Sequence, residues 1–528
     1  MPAFAETVEC DLLIVGGGIN GVGIARDAAG RGLSVVLCDK DDLAAHTSSA
    51  STKLVHGGLR YLEHFEFGLV RKALREREVL LRAAPHIMWP LRFVMPHDRH
   101  QRPAWLLRAG LYLYDHLAKR ELLGPSRAID LRRHPAGAPL KNTFARAFEY
   151  ADGWVDDARL VVLNAVDAAE KGARILTHTR CESAQRDGDY WHALLRDAED
   201  NPLQVSARCL VNAAGPWAAQ FLQSVLPQST HRSLHLIKGS HIVVPRLFDH
   251  PYAYIFQHSD QRIVFAIPYE DAFTLIGTTD IAYHDSPDNV AIDSAEIDYL
   301  CSLTSHYFAR PIRPADVVWS YSGVRPLVED TPSDAAKRST SDSATRAAAI
   351  TRDYRLQLER PGDGAPLLSV FGGKITTYRK LAEEAMTLLQ SALPACGPAW
   401  TAAACLPGGD LFGPTPSNRA VQEFDLFVAQ MQARYTWLAP ALVRRYVRAY
   451  GTRIAVLLAG RRNVEQMGVE IVAGLYAAEA TYLMRHEWAS CAVDILWRRS
   501  KLGLQVGSAG VAALDTWIAS QRQGDRSA

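Results

Sequence analysis

Apolar positions near the start of the chain change their period twice. Cys10 to Val15 is a short apolar run of strand length, Gly16 to Gly23 is glycine-rich, and Ile24 to Arg31 continues with small and apolar residues at helical spacing. Gly32 stops that helix and Leu33 to Cys38 is a second apolar run. The pattern predicts a strand, a helix and a second strand within about 30 residues. Strand-like pieces at His241 to Pro245 and Arg262 to Ile267, bounded by proline and glycine turns, predict a mixed or antiparallel sheet inserted in the middle of the chain. Pro332 to Asp363 is rich in Ser, Asp, Thr, Arg and Ala, and its left half reads as a mobile surface loop. From Ala365, LLSVFGG and KITTYRKLAEEAMTLL repeat the strand, glycine turn and helix of the N-terminus. After a Pro- and Gly-rich linker at 406 to 416, helical spacing dominates near 421 to 434, 437 to 450, 468 to 486 and 509 to 523.

These patterns give an α/β fold with three parts. A nucleotide-binding Rossmann-like domain occupies approximately 8–85, 150–230 and 365–390, and a mixed or antiparallel substrate domain is interleaved at 86–149 and 231–364. Together they form one region at 8–390, followed by a helical domain at 405–528. A chain of 528 residues with 48% hydrophobic and 22% charged residues is not disordered. Its 58 Lys and Arg nearly cancel 57 Asp and Glu, so nucleic acid is not an expected partner and any attraction to anionic lipid must come from a local patch. The eight cysteines never reach CxxC spacing, which excludes a zinc cluster and suggests buried thiols in a reducing compartment. The N-terminus lacks the basic start of a signal peptide, and no segment is apolar enough to span a bilayer.

The first chemical signal is GxGxxG, formed by Gly16, Gly18 and Gly21 between the predicted strand and helix. Gly16 permits the tight turn, Gly18 leaves room for pyrophosphate, and Gly21 lets helix and strand approach. Asp39 closes the second strand, where a carboxylate accepts the ribose hydroxyls of an adenosine. The alternative is a glycine-rich turn with no ligand. FAD is preferred to NAD on three features: the N-terminal position of the fingerprint, the cluster Thr47, Ser48, Ser49, Ser51 and Thr52, and the small-residue turn Ala213, Ala214 and Gly215 after a second apolar strand.

The chain resembles the aerobic, FAD-dependent glycerol-3-phosphate dehydrogenases, within the D-amino-acid-oxidase-like flavoproteins. The resemblance runs from Asp11 to the end and is carried by IVGGGINGVGIARDAAGRGLSVVL, TSSASTKLVHGGLRYLEH, FEYADGWVDDARLV, CLVNAAGPW, LIKGSHIVVP, IGTTD, YSGVRPL and LSVFGGKITTYRKLAE. Asp39 stands where many members have Glu, a chemically equivalent acid. The resemblance implies substrate contacts at Arg60, Tyr61, Arg325 and Lys374, and cofactor contacts that include Gly372 and Gly373. Arg60, Arg325 and Lys374 each follow a glycine-containing turn, and cations suit a phosphate dianion.

Oxidation of a secondary alcohol also needs a proton acceptor. His56 is the first candidate and His241 the second, with Lys374, an arginine-assisted route or solvent as further alternatives. Lys374 and Arg325 are also counted as catalytic, because a cation beside the ring biases flavin chemistry. Asp156 and Asp157 are adjacent and read as a cap or turn, and Asp280 as a residue that holds a loop.

With no iron–sulfur or haem motif, the electron acceptor must meet the flavin directly. The resemblance implies a membrane quinone reached from the cytoplasmic face of the inner membrane. The segment 102 to 120 offers Trp105, Leu106, Leu107, Leu111, Tyr112, Leu113, Tyr114 and Leu117, with Arg102, Arg108, Lys119 and Arg120, as either an interfacial helix on anionic lipid or a core helix. The implied reaction converts glycerol 3-phosphate to dihydroxyacetone phosphate. Rival readings are an oxidase using O₂ and a non-catalytic flavin-binding regulator. A homodimer is left open.

Overall fold

The computed structural model describes residues 7–98, 102–226, 234–257, 262–328, 353–362, 364–393 and 395–527, with backbone only for Arg60, His64, Val328 and 524–527. Most of the predicted loop at Pro332 to Asp363 lies outside the described residues.

The first apolar run becomes strand Thr7–Val15, whose Leu12, Leu13 and Ile14 are fully buried. Burial on both faces explains why the run does not alternate with polar residues. The sheet runs in the order Arg355–Glu359, Leu367–Phe371, Pro202–Asn212, Thr7–Val15, Val35–Cys38 and Arg174–Leu176. Its pairs are parallel except at the Arg355–Glu359 edge. The first half of Pro202–Asn212 also pairs with Tyr190–Arg196, which extends the sheet to Arg180–Asp187. Helices Ile19–Gly30, Asp157–Glu170 and Tyr378–Leu389 cover one face of the parallel strands.

The second sheet has ten strands, ordered Ile281–Tyr283, Leu234–Pro245, Phe273–Gly277, Ile263–Tyr269, Ala253–Gln257, Met88–Pro96, Arg146–Val155 and Leu54–Val55, with Trp319–Val328 and Arg127–Asp130 paired at the sides. It is antiparallel apart from the contact of Ala253–Gln257 with Met88–Pro96. Helix Ser294–Tyr307 packs Leu300, Leu303 and Tyr307 against one face. Leu54–Val55 and Arg146–Val155 lie in this sheet, whereas the sequence division puts 8–85 and 150–230 in the nucleotide part. The chain changes layer at Asp156, where a strand that buries Phe148, Tyr150 and Trp154 meets a helix packed on the other sheet.

The C-terminal region has its own core, built mainly by Phe424–Arg434, Pro440–Tyr450, Ala477–Glu487 and the start of Ser508–Ser527. The helix expected over 468 to 486 begins only at Ala477. A hairpin of Glu470–Val472 and Leu475–Tyr476 precedes it, because Gly474 turns the chain at φ +80°.

Candidate cofactor and substrate site

The glycine turn is closed from both sides. The Gly16 N–H donates to the Cys38 carbonyl at 2.9 Å, and Gly16 sits at φ +120°, with Ala213 O 2.3 Å from where a Cβ would be. A Cβ on Gly21 would lie 1.9 Å from Gly16 O, so helix and turn can approach only without one. A Cβ on Gly18 would meet only Ser48 Oγ, at 3.1 Å, which leaves open space ahead of the helix N-terminus. Asp39 holds the turn, accepting the Gly17 N–H at 2.5 Å and the Asp41 N–H at 2.8 Å. Burial pushes its carboxyl up, against those two donors.

Ser48 Oγ accepts the Ile19 N–H at 3.0 Å, and Thr47 donates to Val324 O at 2.7 Å, which ties the serine-threonine loop to both sheets. Ser49 departs from the expected set. Its hydroxyl donates to His46 O at 3.3 Å, and it lines none of the cavities described here.

Three cavities follow one another from this turn. The first, about 380 Å³, runs past Asp39, Gly16, Gly18, Thr47, Ser48, Ala213 and Gly215. The second, about 300 Å³, shares Gly18, Thr47, Ser48, Ala213 and Gly215 and continues to Gly372, Gly373, Lys374, His241 and Arg325. Asn20 Nδ2 donates to Gly372 O at 3.1 Å, so the two distant glycine turns are one unit. An elongated cradle with an acid at one end and glycine walls at the bend fits a long dinucleotide such as FAD.

The third cavity, about 110 Å³, shares His56, Tyr61, Phe265, Thr278 and Arg325 with the second and adds Asp280. The Arg325 guanidinium lies 3.3 Å from Asp280, and the Lys374 ammonium sits 3.7 Å above the Tyr61 ring. Arg60 belongs to the 3₁₀ turn Leu59–His64, but its side chain is outside the described residues.

His56 lines both the second and third cavities, and His241 only the second. His241 is 2% exposed, stacks on Tyr321 at 4.7 Å between centroids, and has Nε2 2.9 Å from Thr52 Oγ1. Burial, then the charges of Lys53 and Arg325, hold its imidazole well below the usual range.

Sequence reasoning missed what fixes the His56 strand. The His56 N–H donates to Thr376 Oγ1 at 3.2 Å, and the Gly57 N–H donates to Tyr114 Oη at 2.8 Å. The Tyr114 hydroxyl donates in turn to Asp152, which is paired with buried Arg77. Only the position of Tyr114 three residues after Leu111, on one face of a helix, hinted at its burial. Asp156 caps Asp157–Glu170 by accepting the Arg159 N–H at 3.2 Å, while Asp157 pairs with buried Lys53 at 2.7 Å.

Helix Ala104–His116 buries Leu111 and Tyr114, packs Ala104 and Leu107 partly against the same core, and leaves Trp105 71% and Tyr112 60% exposed. It packs beside the Leu59–His64 turn, after which Phe65, 78% exposed, and Phe67 also face out. Arg120, expected among the outward cations, is instead inside, 2.7 Å from Asp115 and against the Tyr114 ring. Among the described residues no helix is long and apolar enough to cross a membrane.

Comparison with known proteins places these features. Residues 11–345 match the model for FAD dependent oxidoreductases, and residues 399–521 that for the C-terminal domain of alpha-glycerophosphate oxidase. The chain is 52% identical to a glycerol-3-phosphate dehydrogenase of Pseudomonas aeruginosa over 97% of its own length and 95% of the relative. It is 49% identical to a D-erythritol 1-phosphate dehydrogenase of Brucella abortus, over 97% and 98%. Its fold aligns with the glycerol-3-phosphate dehydrogenase of Bacillus halodurans complexed with FAD, with a TM-score of 0.73 and 26% identity over 97% of this chain and 90% of the other.

Proposed function

The chain belongs to the FAD-dependent oxidoreductase family, and on that premise we propose that it oxidises sn-glycerol 3-phosphate to dihydroxyacetone phosphate and passes the electrons to a membrane quinone. The observation that carries this reading is the third cavity, where Arg325, Tyr61 and His56 meet beside the cofactor cradle. FAD bound in the cradle supplies a two-electron acceptor for the carbinol hydride. The residues of the chain hold the substrate against it. Arg325, Lys374 and Arg60 bind the phosphate dianion, Arg325 as a planar fork already oriented by Asp280. His56 accepts the hydroxyl proton, since it borders both the cofactor cradle and the substrate cavity. The low proton affinity of His241 suits a neutral wall better than a base.

The 49% identity to a D-erythritol 1-phosphate dehydrogenase supports a second reading, in which the secondary alcohol belongs to a four-carbon polyol phosphate. Anaerobic addition of each phosphate, followed as loss of the oxidised flavin absorbance, tests both. Fast bleaching by sn-glycerol 3-phosphate alone supports the first reading, fast bleaching by D-erythritol 1-phosphate alone supports the second, and none by either refutes both.

For the acceptor, the exposed face of Trp105, Leu106, Tyr112 and Leu113 beside the substrate turn supports contact with a lipid surface. On this reading the enzyme sits peripherally on the cytoplasmic face of the inner membrane. Changing Trp105 and Leu106 to Ser should weaken sedimentation with anionic liposomes and slow quinone reduction, while substrate still bleaches the flavin. Unchanged sedimentation removes this face, and rapid peroxide formation without quinone favours the oxidase reading.

A further inference from the structure

We infer that the C-terminal helical domain works as a clamp on the adenosine half of the cofactor site, with Arg499 as the positioning residue. Asp42 lies in the loop between Asp39 and the Thr47–Ser48 turn and is 1% exposed. Arg499 grips its carboxylate with two N–H groups at 2.7 and 2.8 Å, and Arg498 Nε adds a third contact at 2.6 Å. Arg499 is itself oriented by donating to Glu487 O at 2.6 Å.

The loop transmits this hold directly to the glycine turn. Two residues beyond Asp42, the Ala44 N–H donates to Gly17 O at 3.2 Å, and one residue before it the Asp41 N–H reaches Asp39 at 2.8 Å. Asp39 and Ala44 both line the adenosine cavity.

The neighbouring stretch of that cavity's lining is tied to the same domain by a second contact. Ser490 Oγ lies 2.8 Å from His178 Nε2, and the next residue, Thr179, lines the cavity and donates its N–H to Asp39 O at 2.6 Å. A metal site is not the better reading of this cluster. Ligand atoms of Asp42, His178 and Asp494 lie within 4.8 Å of one another, but Arg498 contacts both carboxylates and occupies the charge.

If the domain were only attached here, any contact would serve equally. A second buried contact, Arg159 with Glu487, joins the same domain to helix Asp157–Glu170 away from the cavity walls. Glu487 also lies 4.0 Å from Arg499, so the control is made on the Arg159 side of that pair.

The clamp rests on the assignment of the first cavity to the adenosine half of FAD. The test measures the FAD dissociation constant of reconstituted full-length apoprotein by quenching of flavin fluorescence. Arg499→Ala should weaken FAD by about 10-fold or more, because the loop must then be ordered by the cofactor itself. Arg499→Lys should fall between the two, and KM for glycerol 3-phosphate at saturating FAD should stay within about twofold of the parent. Arg159→Lys, which leaves the Glu487 carboxylate beside Arg499, should lower the unfolding temperature without a comparable loss of FAD. Should Arg499→Ala not fold, Asp42→Asn and Arg498→Lys test the same contacts. Parental FAD affinity in a folded clamp variant overturns the proposal, as does an equal loss in Arg159→Lys, which would make the effect one of attachment. Gly18→Val separates the two layers: if it also keeps FAD, the cavity assignment has failed rather than the clamp alone.

Discussion

Replacing Tyr114 by Phe removes one oxygen and leaves the ring that fills the core. That oxygen accepts the Gly57 N–H at 2.8 Å and donates to Asp152, at 2.8 Å from Oδ1 and 2.9 Å from Oδ2. A hydrogen bond to a charged group contributes about 1.5 to 3 kcal/mol, and an unsatisfied buried amide costs about 1 to 3 kcal/mol. Part of the second cost is recovered, since Asp152 Oδ1 lies 3.4 Å from the same amide and can move in. A net destabilisation of about 2 to 4 kcal/mol follows, well above the ordinary surface substitution.

The kinetic effect has a separate cause. With the Tyr114 tie to Gly57 lost, the backbone next to His56 is held less firmly than by that bond together with the tie of the His56 amide to Thr376, so its ring drifts against the substrate. A displacement near 1 Å costs about 10²-fold in rate. Anaerobic stopped-flow reduction should therefore slow about 10²-fold per bound flavin, with FAD content unchanged. Asp152→Asn keeps an acceptor for both neighbours and should be milder in rate. A folded Tyr114→Phe protein that bleaches as fast as the parent refutes the coupling of this network to His56, even if its unfolding temperature falls.

Gly18→Val should purify without flavin, because the added side chain enters the space ahead of the helix; full flavin stoichiometry refutes the assignment. Arg325→Ala should lower kcat/KM by about 10- to 100-fold through loss of a charge-assisted contact of about 1.5 to 3 kcal/mol, read in steady-state kinetics with an artificial acceptor. His56→Asn should retain FAD and slow flavin reduction by about 10²- to 10⁴-fold, whereas a parental rate would pass the role to His241. His86 is fully buried, neither ring nitrogen has a hydrogen-bond partner among the described residues, and burial lowers its pKa to about 3. The unfolded chain therefore binds the proton first, so stability is full above about pH 6.5 and falls by about 1.4 kcal/mol per pH unit towards the folded value. Denaturant unfolding across that range should show the slope, and His86→Leu should flatten it.

Local pattern carried the nucleotide half of the molecule because its signals are short-range. Strand, glycine turn, helix and acid occupy Thr7 to Asp39, and each is decided by neighbours in sequence. The substrate half was readable as motifs but not as geometry. Tyr61, Arg325 and Lys374 stand out beside glycines, yet their meeting depends on the pairing of Trp319–Val328 with Leu234–Pro245 and on the packing of one sheet against the other. Ser49 shows the limit of reading a polar cluster as a unit. In a tight turn successive hydroxyls face different ways, and one of them was bound to satisfy the turn itself.

The outward helix shows a different limit. A wheel with apolar residues on too many sides reads equally as core or as interface, and the ambiguity disappears only when Leu111 and Tyr114 are seen to enter the core while Trp105 and Tyr112 do not. Arg120 follows from the same fact. Beyond the helix end the chain turns back, so a cation that looked outward in sequence lies against Tyr114 and Asp115. Charges that close buried networks are the least legible features of all, because Arg77 with Asp152, and Arg499 with Asp42, join residues 75 and 457 positions apart. A buried charge must be paired to be tolerated, but sequence alone does not say by which partner. Such pairs are decided by the fold, and here both of them reach loops that line the cavities.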